Sequence, residues 1–260
     1  MHVPLTIRVF GDAKGLARAA ARSIMESINR ARGERESCSV ALAGGETPGA
    51  VYALLAAEEF RNRVDWNRVH LFFGDERLVP PDDPRSNFGM VRHEMLSHVP
   101  IPPENISRIR GEMPPGDAVE EYRGQLKAYF RDGIPRFDLV LLGLGGDGHT
   151  ASIFPNSGVM EETREIAALV FAPGVKEPRA TLTLPVINNA REVMFLVSGL
   201  SKASIVREIL EAGRKTARLP ATMVHPLSGS LRWMIDSDAA SQIAEKVRTF
   251  SDTQQRRISE

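Results

Sequence analysis

Short β-branched runs alternate with stretches of helical period along nearly the whole chain, and this alternation restricts the fold more than any other feature. "LTIRVF" (5–10) reads as a strand, and behind it Leu16, Ala20, Ile24 and Ile28 share one helical face that ends near Gly33. "SVALAG" and "HLFFGD" are further strands, each followed by a helical stretch: "PGAVYALLAAEEF", and "SNFGMVRHEMLSHV" beyond a Pro-rich loop. "DAVEEYRGQLKAYFRD" is helical, with Gly116 or Asp117 at its cap. "FDLVLLGLG" is the most apolar strand, the composition of one covered on both faces. "EIAALVFA", "RATLTL", "EVMFLVSG" and "LRWMID" are later strand candidates; "SKASIVREIL" and "DAASQIAEKVRTF" are helices. Such a sequence predicts an α/β fold, a mostly parallel sheet flanked by helices on both faces. No repeat, low-complexity segment or linker interrupts it. One domain over residues 1–260 is expected, its last ten or so residues a frayed polar tail.

Composition removes several functional classes. Lys plus Arg and Asp plus Glu both number 33, so no global basic field speaks for nucleic acid or an anionic membrane. The N-terminal apolar run has strand length, too short for a signal peptide or a spanning helix. Cys38 is the one cysteine, in an apolar run, so it reads as packing and no intrachain disulfide forms. A cytoplasmic protein and a monomer are the expectations.

Four unusual loops directly follow predicted strands: "GGETP", "GDERLVPPDDPRSN", "GGDGHTAS" and "SGLSKAS". In open α/β sheets ligands bind beyond the carboxyl ends of strands, so the four are expected to line one pocket. In "GGETP", Thr47 would cap a helix with Pro48 at its first position, and the free amides of Gly44 to Thr47 would attract phosphate. Glu46 is unfavourable beside a phosphate unless it points away. In "GDER", Asp75 and Arg77 alternate with Glu76, so both face the pocket if the backbone is extended, while Glu76 reads as a solvated charge. Ser201 reads as a helix cap, since "SGLSKAS" lacks the second glycine of a nucleophile elbow. Lys202 in the following turn is placed to meet a phosphate.

"GLGGDG" (143–148) has the spacing of a dinucleotide-binding loop, but "HTASIFPNSG" follows where a helix should open, and the strand before it is not the first. The glycines instead read as holding Asp147 and His149 at a strand tip. A histidine there is a reasonable general base, because imidazole ordinarily titrates near pH 6.5. No His/Cys cluster or H-E-x-x-H points to a metal.

Taken in order, "GGETP", "GDERLVP…SN", "GLGGDGHTASIFP", "RATLTL" and "GLSKAS" resemble the successive motifs of the 6-phosphogluconolactonase family, from about Ala41 to Lys202. The resemblance implies a modified, Rossmann-like doubly wound sheet and hydrolysis of 6-phosphoglucono-1,5-lactone, a small sugar-phosphate substrate, without metal or organic cofactor. By the same resemblance His149 activates water, and Asp147 or Asp75 orients its ring or holds the sugar hydroxyls. Arg179, Lys202 and the amides of Gly44, Gly45 and Thr47 hold the 6-phosphate. Arg77 steadies phosphate or developing negative charge, and Asn87 meets the ring hydroxyls. Glu46 stands where the family commonly has Ser, which leaves the backbone contact but removes a side-chain one.

Two alternatives differ in specific residues. Glucosamine-6-phosphate deaminases resemble this chain but carry a glutamate ahead of the proline, where Phe154 stands here, and a tyrosine where Arg77 stands. A non-catalytic sugar-phosphate sensor would need a DNA-binding module, for which the sheet's start near Leu5 leaves no space upstream.

Overall fold

The computed structural model describes residues 5–131, 133–171, 174, 176–212 and 219–244. Along the chain the strands are β1 (Leu5–Phe10), β2 (Cys38–Leu42), β3 (Val69–Phe73), β4 (Asp75–Arg77), β5 (Ile106–Ser107), β6 (Leu139–Leu142), β7 (Ala167–Val170), β8 (Arg179–Leu182), β9 (Glu192–Val197) and β10 (Ser230–Asp236). The helices are α1 (Ala13–Arg35), α2 (Glu46–Ala56), α3 (Glu58–Arg61), α4 (Asn87–Val91), α5 (Pro115–Phe130), α6 (Leu184–Asn188) and α7 (Ala203–Ala212).

Seven strands make one sheet in the order β1-β10-β9-β6-β2-β3-β5, and every neighbouring pair is parallel. Its central strands β2, β6 and β9 are buried along their whole length, as expected where helices cover both faces. The α1 stripe of Leu16, Ala20, Ile24 and Ile28 is buried in that core. Asp12 fixes where α1 begins by accepting a 2.7 Å hydrogen bond from the Gly15 amide. No helix among the described residues is long and apolar enough to cross a membrane.

Several expectations need correction. "EIAALVFA" and "RATLTL" do not extend the parallel sheet; as β7 and β8 they pair antiparallel and, with β4, form a separate three-stranded sheet. Residues 171–178 are all that separate β7 from β8, too few for a crossover, and only antiparallel neighbours can be joined without one. The cap of α5 is Pro114 rather than Gly116 or Asp117, and the helix starts at Pro115, because a proline's missing N–H and fixed φ suit the first helical position. The helix after "SNF" widens at Arg92–Leu96 into a π turn. In the expected closing helix, residues 237–242 form turns held by Asp236, whose carboxylate accepts from the Ala239 amide. The rest of that segment and the polar tail lie outside the described residues.

Candidate active site

The strand order itself creates a crevice. From β2 the chain proceeds to β3 on one side, whereas from β6 it proceeds to β9 on the other, so the loops after β2 and β6 diverge. That reversal is where open α/β sheets hold ligands. A cleft of about 280 Å³ opens there, at the carboxyl ends of the strands. Gly44 and Gly45 reach it from β2, Asp75 and Arg77 from β4, Asn87 from α4, His149 from beyond β6, Arg179 from β8 and Lys202 from beyond β9. Loops that span most of the chain therefore meet in one place. Among the charged groups lining it, Arg77, Arg179 and Lys202 outnumber the single carboxylate, Asp75.

Two buried tyrosines brace the strand ends beneath the cleft loops. The Tyr52 hydroxyl donates to the Ala43 carbonyl and accepts from the Ala43 amide, both at 2.9 Å. The Tyr122 hydroxyl does the same for Phe73, at 2.7 and 3.1 Å. Each clamps the strand end immediately before a cleft loop, and burial pushes both phenols up, well beyond any physiological titration. Neither stood out in the sequence, since a tyrosine on an apolar helical face reads as core.

His149 and Asp147 form the cleft's one dyad. The ring Nδ1 lies 2.5 Å from Asp147 Oδ1, and the same oxygen accepts from the His149 amide at 3.1 Å. Partial burial raises the Asp147 carboxyl, but the His149 amide and ring together hold it below its ordinary value. An ionised carboxylate only accepts, so Nδ1 carries the proton and Nε2 is left as the basic nitrogen. A Cβ on Gly145 would sit 2.1 Å from Nδ1 and 2.6 Å from Asp147 Oδ1. The glycine-rich loop thus makes room for this dyad, and no helix follows it.

The two acids left open by the sequence are separated by geometry. Asp75 is buried and does not meet the imidazole: its Oδ2 accepts from Ser152 at 2.6 Å and its Oδ1 faces Asn87 Nδ2 at 3.3 Å. Asn87 Nδ2 also donates to the Asp75 carbonyl at 2.8 Å. Asn87 Oδ1 is buried with no hydrogen-bond partner and sits against Gly44, where a Cβ would come within 1.9 Å of it. A buried acceptor without a partner is costly and marks a place where a ligand donor fits.

Cations gather on the small sheet. Arg77 and Arg179 are directly opposite one another across β4 and β8, and the Nε of each is buried without a partner. Burial, then the neighbouring Arg77, hold the Arg179 guanidinium below its ordinary value. Like charges opposite each other are unfavourable unless an anion joins them. Arg179 stacks over the Phe154 ring at 5.8 Å, and the His149 ring contacts the same ring at 4.5 Å. Imidazole and guanidinium are hence no further apart than those two distances laid end to end.

Glu76 overturns the solvated reading. It is 1 % exposed, and its carboxylate accepts from the amides of Arg77, Asn87 and Phe88, each at 2.7 Å, and from the Ser86 hydroxyl at 3.1 Å. Extended β4 turns it away from the cleft, where it ties the start of α4 and so places Asn87. Thr47 is not a cap: Gly45, at φ 100°, turns the chain so that α2 starts at Glu46, and the Thr47 hydroxyl pairs instead with Ser198 at 2.8 Å. Thr47 and Asp147 are absent from the cleft lining, Asp147 being at its rim behind the imidazole. Glu46 is exposed in the first turn of α2, where a carboxylate suits the helix dipole. Ser201 caps nothing; Gly199, at φ 95°, makes the turn, and Ser201 is exposed within the short helical turn that follows.

Residues 11–233 match the family described as glucosamine-6-phosphate isomerases/6-phosphogluconolactonase. The chain belongs to this family. Among its members, a 6-phosphogluconolactonase of Homo sapiens is 38% identical over 241 residues, 91% of this chain and 93% of the relative. One of Aggregatibacter actinomycetemcomitans is 35% identical over 201 residues, 77% of this chain and 85% of the relative. The solved 6-phosphogluconolactonase of Trypanosoma brucei superposes with a TM-score of 0.83 at 31% identity, covering 94% of this chain and all of that one. A monomeric glucosamine-6-phosphate deaminase shares the fold, with a TM-score of 0.76 at 23% identity over 91% of this chain and 99% of that one.

Proposed function

We propose that this chain hydrolyses 6-phospho-D-glucono-1,5-lactone to 6-phospho-D-gluconate, with His149 as the base and Arg77, Arg179 and Lys202 around the phosphate. One observation carries the reading: the imidazole of a dyad with a basic Nε2 and the guanidinium of Arg179, whose register partner is Arg77, both rest on the Phe154 ring. Their spacing suits a six-carbon lactone, carbonyl at the imidazole and phosphate at the cations. Family membership and the curated 6-phosphogluconolactonases at 35–38% identity support the same substrate.

The steps follow from the side chains. Nε2 takes a proton from water as its oxygen attacks the lactone carbonyl, and Asp147 steadies the imidazolium that forms. The tetrahedral oxyanion then collapses; the bond to the ring oxygen breaks, and the imidazolium returns its proton to that leaving oxygen. One base supplies roughly 10²–10⁴-fold, and anchoring the phosphate adds orientation. An unpartnered Asn87 Oδ1 beside the backbone of Gly44 fits a sugar hydroxyl as donor. Where a deaminase-like acid would precede Pro155, the aromatic Phe154 stands, which favours lactone opening over amine release. A cytoplasmic, monomeric enzyme is part of this reading.

The test generates the lactone freshly by oxidising glucose 6-phosphate and follows its disappearance with and without protein. Acceleration is expected, and His149→Ala should remove about 10²–10⁴-fold of it while the circular dichroism spectrum is unchanged. Full activity in that variant would refute the assignment of the base. Ammonia released from glucosamine 6-phosphate would instead support the deaminase.

A further inference from the structure

A second charged cavity, of about 380 Å³, lies at the other end of the sheet. Asp138 directly precedes β6, Glu192 opens β9 and Ser230 opens β10, so in a parallel sheet this edge is opposite to the catalytic cleft. Five arginines line it, Arg30, Arg35, Arg136, Arg191 and Arg232, against three carboxylates.

All three carboxylates are ion-paired with arginines, and Glu192 Oε1 has no hydrogen bond beyond its ion pair. Glu192, 3 % exposed, pairs with Arg30 at 2.7 Å and Arg232 at 3.2 Å. Asp138 pairs with Arg35 at 2.8 Å and Arg191 at 3.4 Å, and also accepts from the Ser39 amide and hydroxyl. Glu34 meets Arg35. Arg136 has no carboxylate partner among the described residues; it donates to the Ser228 hydroxyl at 2.9 Å. The Nε atoms of Arg136 and Arg191 are both buried with no hydrogen-bond partner. Burial, then Arg136 and Arg35, hold the Arg191 guanidinium below its ordinary value, the signature of cations crowded without enough opposite charge. A structural ion-pair network alone would leave neither the two surplus positive charges nor the Arg136 Nε without a partner.

We propose that this cavity binds a compact phosphate of charge minus two or more, held between Arg136 and Arg191 as bidentate guanidinium donors. Guanidinium forks match phosphate oxygens in geometry and charge, and a bound dianion would neutralise the surplus. It is independent of the lactonase reading, since no residue is shared between the two cavities.

The experiment titrates inorganic pyrophosphate by calorimetry at fixed ionic strength, which removes general screening from the comparison. Because pyrophosphate also suits the catalytic cations, the wild-type chain is expected to bind two equivalents. Arg136→Gln should bind one and keep its lactone hydrolysis unchanged, and Arg179→Ala should likewise bind one, at the opposite edge. A double variant, Arg136→Gln with Arg179→Ala, should bind none. Arg136 has only a serine hydroxyl as partner, so its loss spares the fold; an unchanged melting temperature without ligand checks this. A single equivalent in the wild type that Arg179→Ala abolishes, or full binding by Arg136→Gln, would overturn the proposal.

Discussion

Replacing Glu76 by Gln separates the fold's scaffold from its chemistry. The carboxylate accepts four hydrogen bonds, two on each oxygen, from three backbone amides and a hydroxyl. An amide side chain keeps one oxygen and turns an N–H₂ toward at least one backbone N–H. A buried donor left facing a donor costs about 1–3 kcal/mol, and in a chain of this size each kcal/mol lowers Tm by roughly 2–4 °C. The effect depends on pH. Burial pushes Glu76 up to about 7 from 4.5, against the pull of the Phe88, Asn87 and Arg77 amides. The folded state therefore binds this proton more tightly than the unfolded chain does. Its contribution is most favourable below pH 4.5 and declines as pH rises to about 7, by about 3 kcal/mol in all. The difference in unfolding free energy between wild type and Glu76→Gln, from urea titrations between pH 5 and 8, should fall as pH rises. KM should increase as well, because Asn87 loses its anchor, while the pH dependence set by the base is unchanged. A stability difference that is flat or growing across that range would refute the reasoning, since it would mean that the carboxylate is ionised throughout.

Other expectations follow from the cleft. Gly145→Ala places a Cβ 2.1 Å from the imidazole Nδ1, so turnover should collapse with little change in Tm; unaltered turnover would show that the dyad is not held against this backbone. Asp147→Asn replaces an acceptor-only carboxylate with an amide that can also donate to Nδ1, so the tautomer is no longer fixed, and kcat should drop roughly 10²-fold with KM nearly constant. Arg179→Ala deletes one charge-assisted contact of about 1.5–3 kcal/mol and should raise KM about 10–100-fold, with kcat less affected; an unchanged KM would take Arg179 out of the phosphate clamp.

The glycine-rich turn shows how far local pattern reaches. Its glycines, the aspartate two residues before His149, and the missing helix after it all pointed to a loop built around an imidazole. The imidazole Nδ1 occupies the space that a side chain at residue 145 would need, which gives that pattern its physical reason. The acid that serves the ring was not legible, because Asp147 and Asp75 are equivalent as letters. The contact of Asp147 with the ring, and the Ser152 and Asn87 contacts that occupy Asp75 from distant segments, separate them. Glu76 was misread for the same reason: a charge in a charged loop looks solvated until the start of α4 folds over it.

What the sequence by itself determined is the alternation of strand and helix, the burial of β6, and the placement of the unusual loops at strand ends. Those depend on periodicity and composition, which are properties of short windows. Tertiary structure alone decided that "RATLTL" leaves the parallel sheet to set Arg179 opposite Arg77, that Tyr52 and Tyr122 brace the strand ends beneath the cleft loops, and that five arginines collect at the far edge. Each of these joins residues remote in the chain, and a cross-strand register or a buried hydroxyl's partner is set by three-dimensional packing that no local window contains.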